Sequence, residues 1–153
     1  MTAPVDGLTR LTTAAGERPR VAIVCASQVG CMVASALITQ FGCTPVLVPS
    51  GESVLALLRL NEPVDLALVD LSLPDMDGIV ALQMIRALGA RGAVPAVAIT
   101  KQREATAGER ARTAGFASTV VKPYSPRELY VAMLTALTGA EQALAEIEAG
   151  IGA

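Results

Sequence analysis

Residues 66–78 read "LALVDLSLPDMDG", an apolar run that ends in one carboxylate, Asp70, before the chain turns through a proline and a glycine. A short apolar run bounded by turn residues is typical of a strand that is buried on both faces. Such strands belong to parallel sheets that helices cover on each side. The stretch therefore predicts a buried strand that brings an acidic side chain to the end of a sheet.

The rest of the chain repeats this pattern, because apolar runs of strand length alternate with segments of helical periodicity. The predicted strands span 20–25, 44–49, 64–70, 94–100 and 118–123, and the predicted helices span 28–40, 51–60, 77–88, 104–115 and 125–139. This alternation predicts an α/β fold, a doubly wound (βα)5 domain with a five-stranded parallel sheet between two layers of helices, of the flavodoxin-like type.

The domain itself is expected to span residues 20–139. Residues 1–19 are polar and without a clear period, which favours a flexible tail. Residues 140–153 are expected to form a helical extension or a tail, and no residues remain for a separate output domain.

Composition excludes several classes of function. Twelve basic against fourteen acidic residues give a net charge of −2, and aromatic residues are few, so a nucleic-acid interface is not expected. The three cysteines show no C-x-x-C spacing and the chain has no histidine, which favours buried free thiols in a reducing cytoplasm over a zinc or redox site. The uncharged residues 21–51 contain polar side chains and change period halfway, so they predict a strand and a helix of a cytoplasmic protein rather than a membrane span.

Three polar side chains stand at the carboxyl ends of predicted strands, where parallel sheets bind ligands. Asp70 ends the third strand, Thr100 the fourth, and Lys122 the fifth. The topology is expected to bring these three groups to one edge of the sheet. Asp75 and Asp77, in the loop after Asp70, are expected to favour the start of the third helix through its dipole.

The segments "LVDLSLPDMDG", "AIT" and "VVKP" resemble the receiver domain of two-component response regulators, the CheY-like superfamily. By this resemblance Asp70 is the phosphoacceptor, Thr100 the switch hydroxyl and Lys122 the lysine that binds the phosphoryl group. The resemblance also implies a cis peptide bond before Pro123 and a histidine kinase or phosphotransferase as partner.

The sequence departs from the family pattern around this site. After the first strand the family places two acidic residues that hold Mg²⁺ together with the phosphoacceptor and a backbone carbonyl, here that of Ser72, but this chain has Cys25 and Ala26. One carboxylate is too few to hold Mg²⁺ firmly, so no metal or other cofactor is expected, and weak Mg²⁺ binding at most. In addition, Lys101 follows the switch hydroxyl and Thr119 stands at the position of the switch aromatic residue. The resemblance is therefore to an atypical receiver or pseudo-receiver.

The first helix lacks charged residues, which is unusual for a solvent-facing helix. Its core face is predicted to consist of Val29, Val33, Leu37 and Phe41. Its outward face, a candidate docking surface for a kinase or phosphotransferase unless a tail covers it, is predicted to consist of Cys31, Met32, Ser35 and Thr39.

Several hypotheses on function follow. The first is an atypical single-domain receiver that signals by protein contact, in which efficient magnesium-dependent phosphorylation of Asp70 is not expected. The alternative is a phosphorylation-independent adaptor that binds a histidine kinase or dimerises, with Asp70 and Lys122 serving as a structural ion pair. An enzyme at the same edge is disfavoured, because neither a histidine nor a second catalytic carboxylate accompanies Asp70.

Overall fold

The computed structural model describes residues 9–101 and 105–148, with the side chains of all of these except 105 and 140–148. Strands and helices alternate along the chain, joined after α3 by a short 3₁₀ turn at Gly89–Gly92. The strands are β1 Arg20–Val24, β2 Thr44–Val48, β3 Leu66–Asp70, β4 Ala96–Thr100 and β5 Ser118–Val121. The helices are α1 Gln28–Gln40, α2 Gly51–Arg59, α3 Gly78–Arg86, α4 Ala105–Ala114 and α5 Pro126–Glu148.

The strands form one parallel sheet in the order β2-β1-β3-β4-β5, which confirms the predicted fold. The strand order reverses between β1 and β3, which are hydrogen-bonded neighbours with Val24 opposite Val69. In sheets of this kind ligands bind outside the carboxyl ends of the strands at such a reversal. Asp70, the residue after Val69, lies at this position.

Successive strand residues point to opposite faces of the sheet and pack into two apolar layers. Ile23, Leu68 and Ile99 pack with α1 and α5 on one face. Val24, Val69 and Ala98 pack with α2 and α3 on the other. Among the residues that the structure describes, no helix is both long enough and apolar enough to cross a bilayer.

The segment before β1, predicted as a flexible tail over residues 1–19, contacts the domain within its described residues. Leu11 is buried, and its N–H donates to the carbonyl of Phe41 at 2.8 Å. The hydroxyl of Tyr130 on α5 donates to the carbonyl of Thr9 at 2.7 Å, and the rings of Phe41 and Tyr130 meet edge to face. The segment escaped prediction because one buried leucine and backbone hydrogen bonds leave no periodic pattern. Residues 1–8 lie outside the described part of the chain.

The core face of α1 also differs from the prediction. Cys31, Ala34, Ile38 and Phe41 are buried, whereas Val29 and Val33, predicted to be in the core, are exposed by 73% and 50%. The predicted set recurs every four residues, and because 3.6 residues make one turn, each such step moves the stripe about 40° around the helix. The observed 3-4-3 spacing stays on one face.

Of the residues predicted to face outward from α1, Cys31 is therefore buried. Met32 is exposed by 63%, Thr39 is exposed and Ser35 is half-buried. At the other end of the chain, α5 runs on to Glu148, into residues 140–153, where a helical extension or a tail was predicted. Residues 149–153 of that segment lie outside the described residues.

Candidate functional site

Asp70 occupies the last position of a strand whose residues are all buried, and only 4% of its surface is exposed. A buried carboxylate requires polar partners, because its transfer from water is otherwise very costly. Lys122 donates from Nζ to Oδ2 of Asp70 at 2.9 Å. The backbone N–H of Ser72 donates to Oδ1 at 2.8 Å. Both carboxylate oxygens therefore accept a hydrogen bond, one of them from a cation.

Thr100 and Lys122 lie at the same edge of the sheet as Asp70. Thr100 ends β4 and is buried, and its carbonyl accepts a hydrogen bond from the backbone N–H of Lys122 at 2.8 Å. The peptide bond between Lys122 and Pro123 is cis, as the resemblance predicted. The strand ends thus bring together the three side chains that the sequence placed there.

The start of α1 reaches this group of residues. Ser27 caps the helix, since its Oγ accepts a hydrogen bond from the N–H of Gly30 at 3.3 Å. A Cβ atom placed on Gly30 would stand 3.8 Å from Nζ of Lys122 and 3.5 Å from the Ser27 side chain. Both are ordinary van der Waals distances, so α1 comes close to the Lys122 ammonium group at Gly30 without a steric requirement for glycine. No local pattern predicts this proximity, because it joins distant segments of the chain.

The loop after Asp70 caps two helices. Asp77 caps α3 through a hydrogen bond from the N–H of Ile79 to Oδ1 at 2.7 Å. Asp75 was expected to support the same helix, but its carboxylate instead accepts hydrogen bonds from the N–H groups of Gly51 and Glu52, at the start of α2. These bonds from Glu52 and Gly51 lower the pKa of Asp75.

Gly78, the first residue of α3, packs directly against the backbone that follows β3. A Cβ atom at this position would stand 2.6 Å from the carbonyl oxygen of Asp70 and 2.8 Å from Cα of Leu71. Both are backbone atoms, so the contact cannot be relieved by rotation of a side chain. Glycine at residue 78 therefore permits the observed position of the Asp70 backbone.

We expect Gly78→Ala to lower the free energy of unfolding by about 1–3 kcal/mol, the usual cost of overpacking. Gly108→Ala is the matched control, because that helical glycine has open space around its Cβ position and alanine favours helix by about 1 kcal/mol. Urea denaturation followed by circular dichroism measures both variants. Equal stability changes in the two variants would contradict the proposed close approach at Gly78.

A surface hollow of about 490 Å³ lies between the start of α1 and the segment after β5. Val29, Val33 and Pro123 contribute apolar walls, and Lys101 and Lys122 contribute ammonium groups. Tyr124 lines the same hollow, and its pKa is raised, first by burial and then by the negative charge of Asp70. Tyr124 has no role predicted from the sequence, since nothing in the local pattern places it near a carboxylate.

We expect Tyr124 to stay protonated above about pH 10, the ordinary range for tyrosine. Asp70→Asn removes the nearby negative charge and should lower the pKa of Tyr124, whereas burial should keep it above the ordinary value. A pH titration of ring-labelled tyrosine by NMR, assigned with Tyr124→Phe, measures the midpoint. Asp75→Asn is the matched control and should leave it unchanged. A midpoint that does not move in Asp70→Asn would contradict the electrostatic link.

The two residues that follow β1 are Cys25 and Ala26, neither of which has a carboxylate. Cys25 is buried and forms a disulfide with Cys31, their Cα atoms lying 6.2 Å apart, while Ala26 is exposed. The prediction of free thiols was therefore wrong for this pair. A separation of 6 residues does not by itself predict a disulfide, and the two cysteines meet because the connection between β1 and α1 is short. Cys43 remains a buried free thiol.

The donor set around Asp70 does not match Mg²⁺, which takes oxygen ligands in an octahedral arrangement. The positions after β1 offer no carboxylate, and both oxygens of Asp70 are already hydrogen-bonded. Within residues 9–101 and 106–139, whose side chains the structure describes, no group of three histidine, cysteine, aspartate or glutamate side chains is arranged to hold a metal ion.

Comparison with protein families identifies this arrangement, since the response regulator receiver domain family matches residues 6–150. The chain belongs to this family. Receiver domains of this kind act in two-component phosphorelay signalling, in which they interact with histidine kinases.

Solved receiver domains share the fold at low sequence identity. A receiver domain protein from Methanospirillum hungatei is 24% identical with a TM-score of 0.71, covering 83% of this chain and 99% of that one. A response regulator from Chloroflexus aurantiacus is 23% identical with a TM-score of 0.75, covering 80% and 99%.

The curated relatives are much longer than the matching region. The histidine-protein kinase BarA of Escherichia coli is 35% identical over 72 residues, which cover 47% of this chain and 8% of that protein. The transcriptional regulatory protein BaeR of Escherichia coli is 34% identical over 93 residues, which cover 61% of this chain and 37% of that protein. The chain thus matches only a part of each relative.

Proposed function

We propose that this chain is an atypical receiver that signals by contact with a histidine kinase or phosphotransferase, and that phosphoryl transfer to Asp70 is slow and nearly independent of Mg²⁺. One observation carries the proposal: the buried Asp70 carboxylate is paired with Lys122, while Cys25 and Ala26 stand where acidic metal ligands would be needed. The remaining groups can hold a phosphoryl group near Asp70 but cannot neutralise most of its charge.

Electrostatics sets the scale of this effect. Two unit charges about 4 Å apart repel by about 4 kcal/mol at an effective dielectric constant of about 20. A phosphoryl donor that approaches ionised Asp70 meets such repulsion, and Lys122 offsets only part of it. Because each 1.4 kcal/mol in the barrier changes a rate about tenfold, the uncompensated part slows transfer by orders of magnitude.

The chain's own groups suggest how such a transfer would proceed. An oxygen of Asp70 attacks the phosphorus of the donor and the donor's leaving group departs with the bonding electron pair. The Lys122 ammonium group then donates to phosphoryl oxygens instead of to Oδ2 of Asp70. The side chain of Thr100, which carries a hydroxyl group, lies at the same edge of the sheet. Lys101, the residue after Thr100, lines the hollow beside Lys122 and could add a second positive charge.

The contact surface that we propose is the exposed apolar face of α1, formed by Val29, Met32 and Val33. These side chains are exposed by 73%, 63% and 50%, and the helix bears no charged residue. Val29 and Val33 also line the hollow that contains Lys122, so the surface is continuous with the Asp70 site. An amphipathic helix of a kinase or phosphotransferase would bury this face and bring its histidine to Asp70. This surface differs from the predicted outward face of α1, because Cys31 is buried and cannot contact a partner.

The second candidate is a phosphorylation-independent adaptor that binds a kinase or dimerises. The observation that favours it is the full set of hydrogen bonds to Asp70, which satisfies the carboxylate without any phosphoryl group. In that case the edge of the sheet would have only a structural role, and the chain would not be an enzyme.

Incubation with acetyl phosphate, with and without Mg²⁺, tests the state of Asp70. We expect a slow mass gain of one phosphoryl group, raised less than about threefold by Mg²⁺, because no ligand set concentrates the ion at the site. Intact-mass spectrometry measures the gain over time.

Asp70→Asn is the control and should abolish the gain, whereas Asp75→Asn should leave it unchanged. A gain that Mg²⁺ raises about a hundredfold would contradict the proposed metal-poor site. The complete absence of a gain, together with a kinase that still binds Asp70→Asn, would favour the adaptor.

A charge on α1 tests the contact surface. We expect Val29→Glu to reduce phosphotransfer from a panel of autophosphorylated histidine kinases and phosphotransferases by about tenfold or more, since a partner that covers α1 would have to remove water from the new carboxylate. Val80→Glu is the matched control, because Val80 is also an exposed valine in the first turn of a helix, here α3. Loss of the phosphoryl label from the donor measures transfer. Equal effects of the two substitutions would contradict docking on α1.

A further inference from the structure

Cys25 directly follows β1, and Cys31 lies in α1 next to Met32 of the proposed contact surface. Both are nearly buried, with 5% and 8% of their surfaces exposed. They nevertheless line a surface groove of about 280 Å³ together with Met32 of α1 and Leu47 of β2. A small oxidant or a thiol can therefore approach the pair from solvent, whereas the third cysteine, Cys43, is fully buried in the core.

The disulfide joins the two ends of residues 25–31, a segment that contains the first residues of α1. Cys25 is held to the sheet, since its N–H donates to the carbonyl of Val48 at 3.1 Å. Between the two cysteines lie Ser27, which caps the helix, and Gly30, which adjoins the Lys122 ammonium group. The exposed Val29 belongs to the same segment. A covalent link across this segment therefore fixes the contact surface relative to Asp70 and Lys122.

The effect of such a link is local. The loss of chain entropy caused by a cross-link grows with the length of the closed loop, and this loop is very short, with a separation of 6 residues. The sheet and both apolar layers are built from other contacts. The disulfide therefore orders the first turns of α1 more than it stabilises the fold as a whole.

We propose that Cys25 and Cys31 form a reversible disulfide that orders the start of α1, so that the redox state of the pair determines how well the contact surface is prepared for its partner. The link to signalling rests on the proposed function, whereas the redox change itself does not. The oxidised form presents Val29, Met32 and Val33 on an ordered helix, which reduces the entropy lost on binding. Reduction releases the first turns and weakens binding.

The chemistry requires a peroxide as oxidant and a dithiol as reductant. One cysteine thiolate attacks an oxygen of hydrogen peroxide and becomes a sulfenic acid, while the O–O bond breaks and hydroxide leaves and is protonated to water. The sulfur of the second thiol then attacks the sulfenic sulfur, and the hydroxyl group leaves with the thiol proton as a second water, which forms the disulfide. In the reverse direction a thiolate of the dithiol attacks one sulfur of the pair, and its second thiolate resolves the mixed disulfide. Two protein thiols are regenerated and the dithiol leaves as its own disulfide.

The experiment compares the wild-type protein after treatment with hydrogen peroxide and after treatment with dithiothreitol. Alkylation in denaturant followed by mass spectrometry should label one cysteine, Cys43, in the oxidised form and all three in the reduced form. Before alkylation, the reduced form should weigh about 2 Da more than the oxidised form. Amide hydrogen exchange should then be about fivefold or more faster at residues 28–33 of the reduced form, with β3 and β4 unchanged.

Single variants give the controls. In Cys31→Ala and in Cys25→Ala, the amides of residues 28–33 should exchange as fast as in the dithiothreitol-treated wild type, whichever treatment is used. Cys43→Ala should respond to both treatments like the wild type. Burial raises the pKa of the Cys43 thiol to about 12, so this cysteine should stay unmodified by peroxide in the folded protein.

Three labelled cysteines after peroxide, a disulfide between two chains, or equal exchange at residues 28–33 in both forms would each overturn the proposal. None of these readouts uses phosphoryl transfer or a partner. Failure of the redox switch is therefore distinguishable from failure of the proposed signalling function, which the acetyl phosphate and phosphotransfer assays test separately.

Discussion

The buried ion pair between Asp70 and Lys122 is the constraint on which the rest of the site depends. A carboxylate at the end of a fully buried strand has lost most of its water, so removal of its cationic partner would leave an unpaired buried charge, which usually costs about 3–5 kcal/mol. The Lys122 side chain must therefore extend from β5 past β4 to β3. Its backbone is held for this by a hydrogen bond to Thr100. The ion pair thus joins the strand ends that form the candidate site.

The elements that surround the Asp70–Lys122 ion pair are closely packed. Helix α1 approaches the Lys122 ammonium group at Gly30, and α3 approaches the Asp70 backbone at Gly78. The approach at Gly78 needs a residue without a side chain, because a Cβ atom there would stand 2.6 Å from the Asp70 carbonyl oxygen. At Gly30 a Cβ atom would be at ordinary contact distance from Lys122. Tyr124 fills part of the remaining space, where burial first, and then the charge of Asp70, raises its pKa. The site is therefore enclosed on several sides but open at the hollow beside α1, which is the side from which a donor histidine would have to enter.

The fold could be read from the sequence because the central strands, β1, β3 and β4, are nearly continuous apolar runs, which are typical of a sheet covered on both faces. The polar residues at the ends of β3, β4 and β5 followed from the same topology. The face of α1 could not be read, because apolar residues surround most of that helix and two stripes compete. The role of Asp75 was also missed, since its partners Gly51 and Glu52 lie on another helix. Contacts of this kind depend on distances between segments that no local pattern records.

The loop between β3 and α3 is fastened at two points, through Asp75 to α2 and through Asp77 to α3. A rearrangement of the loop backbone would have to break helix caps on two elements at once. The first turns of α1, in contrast, lie close to Lys122 at Gly30 and carry the exposed Val29 and Val33. A change in the charge of Asp70 therefore acts directly on Lys122, beside the beginning of α1, and on the Ser72 N–H, while the two helix caps oppose movement of the rest of the acidic loop.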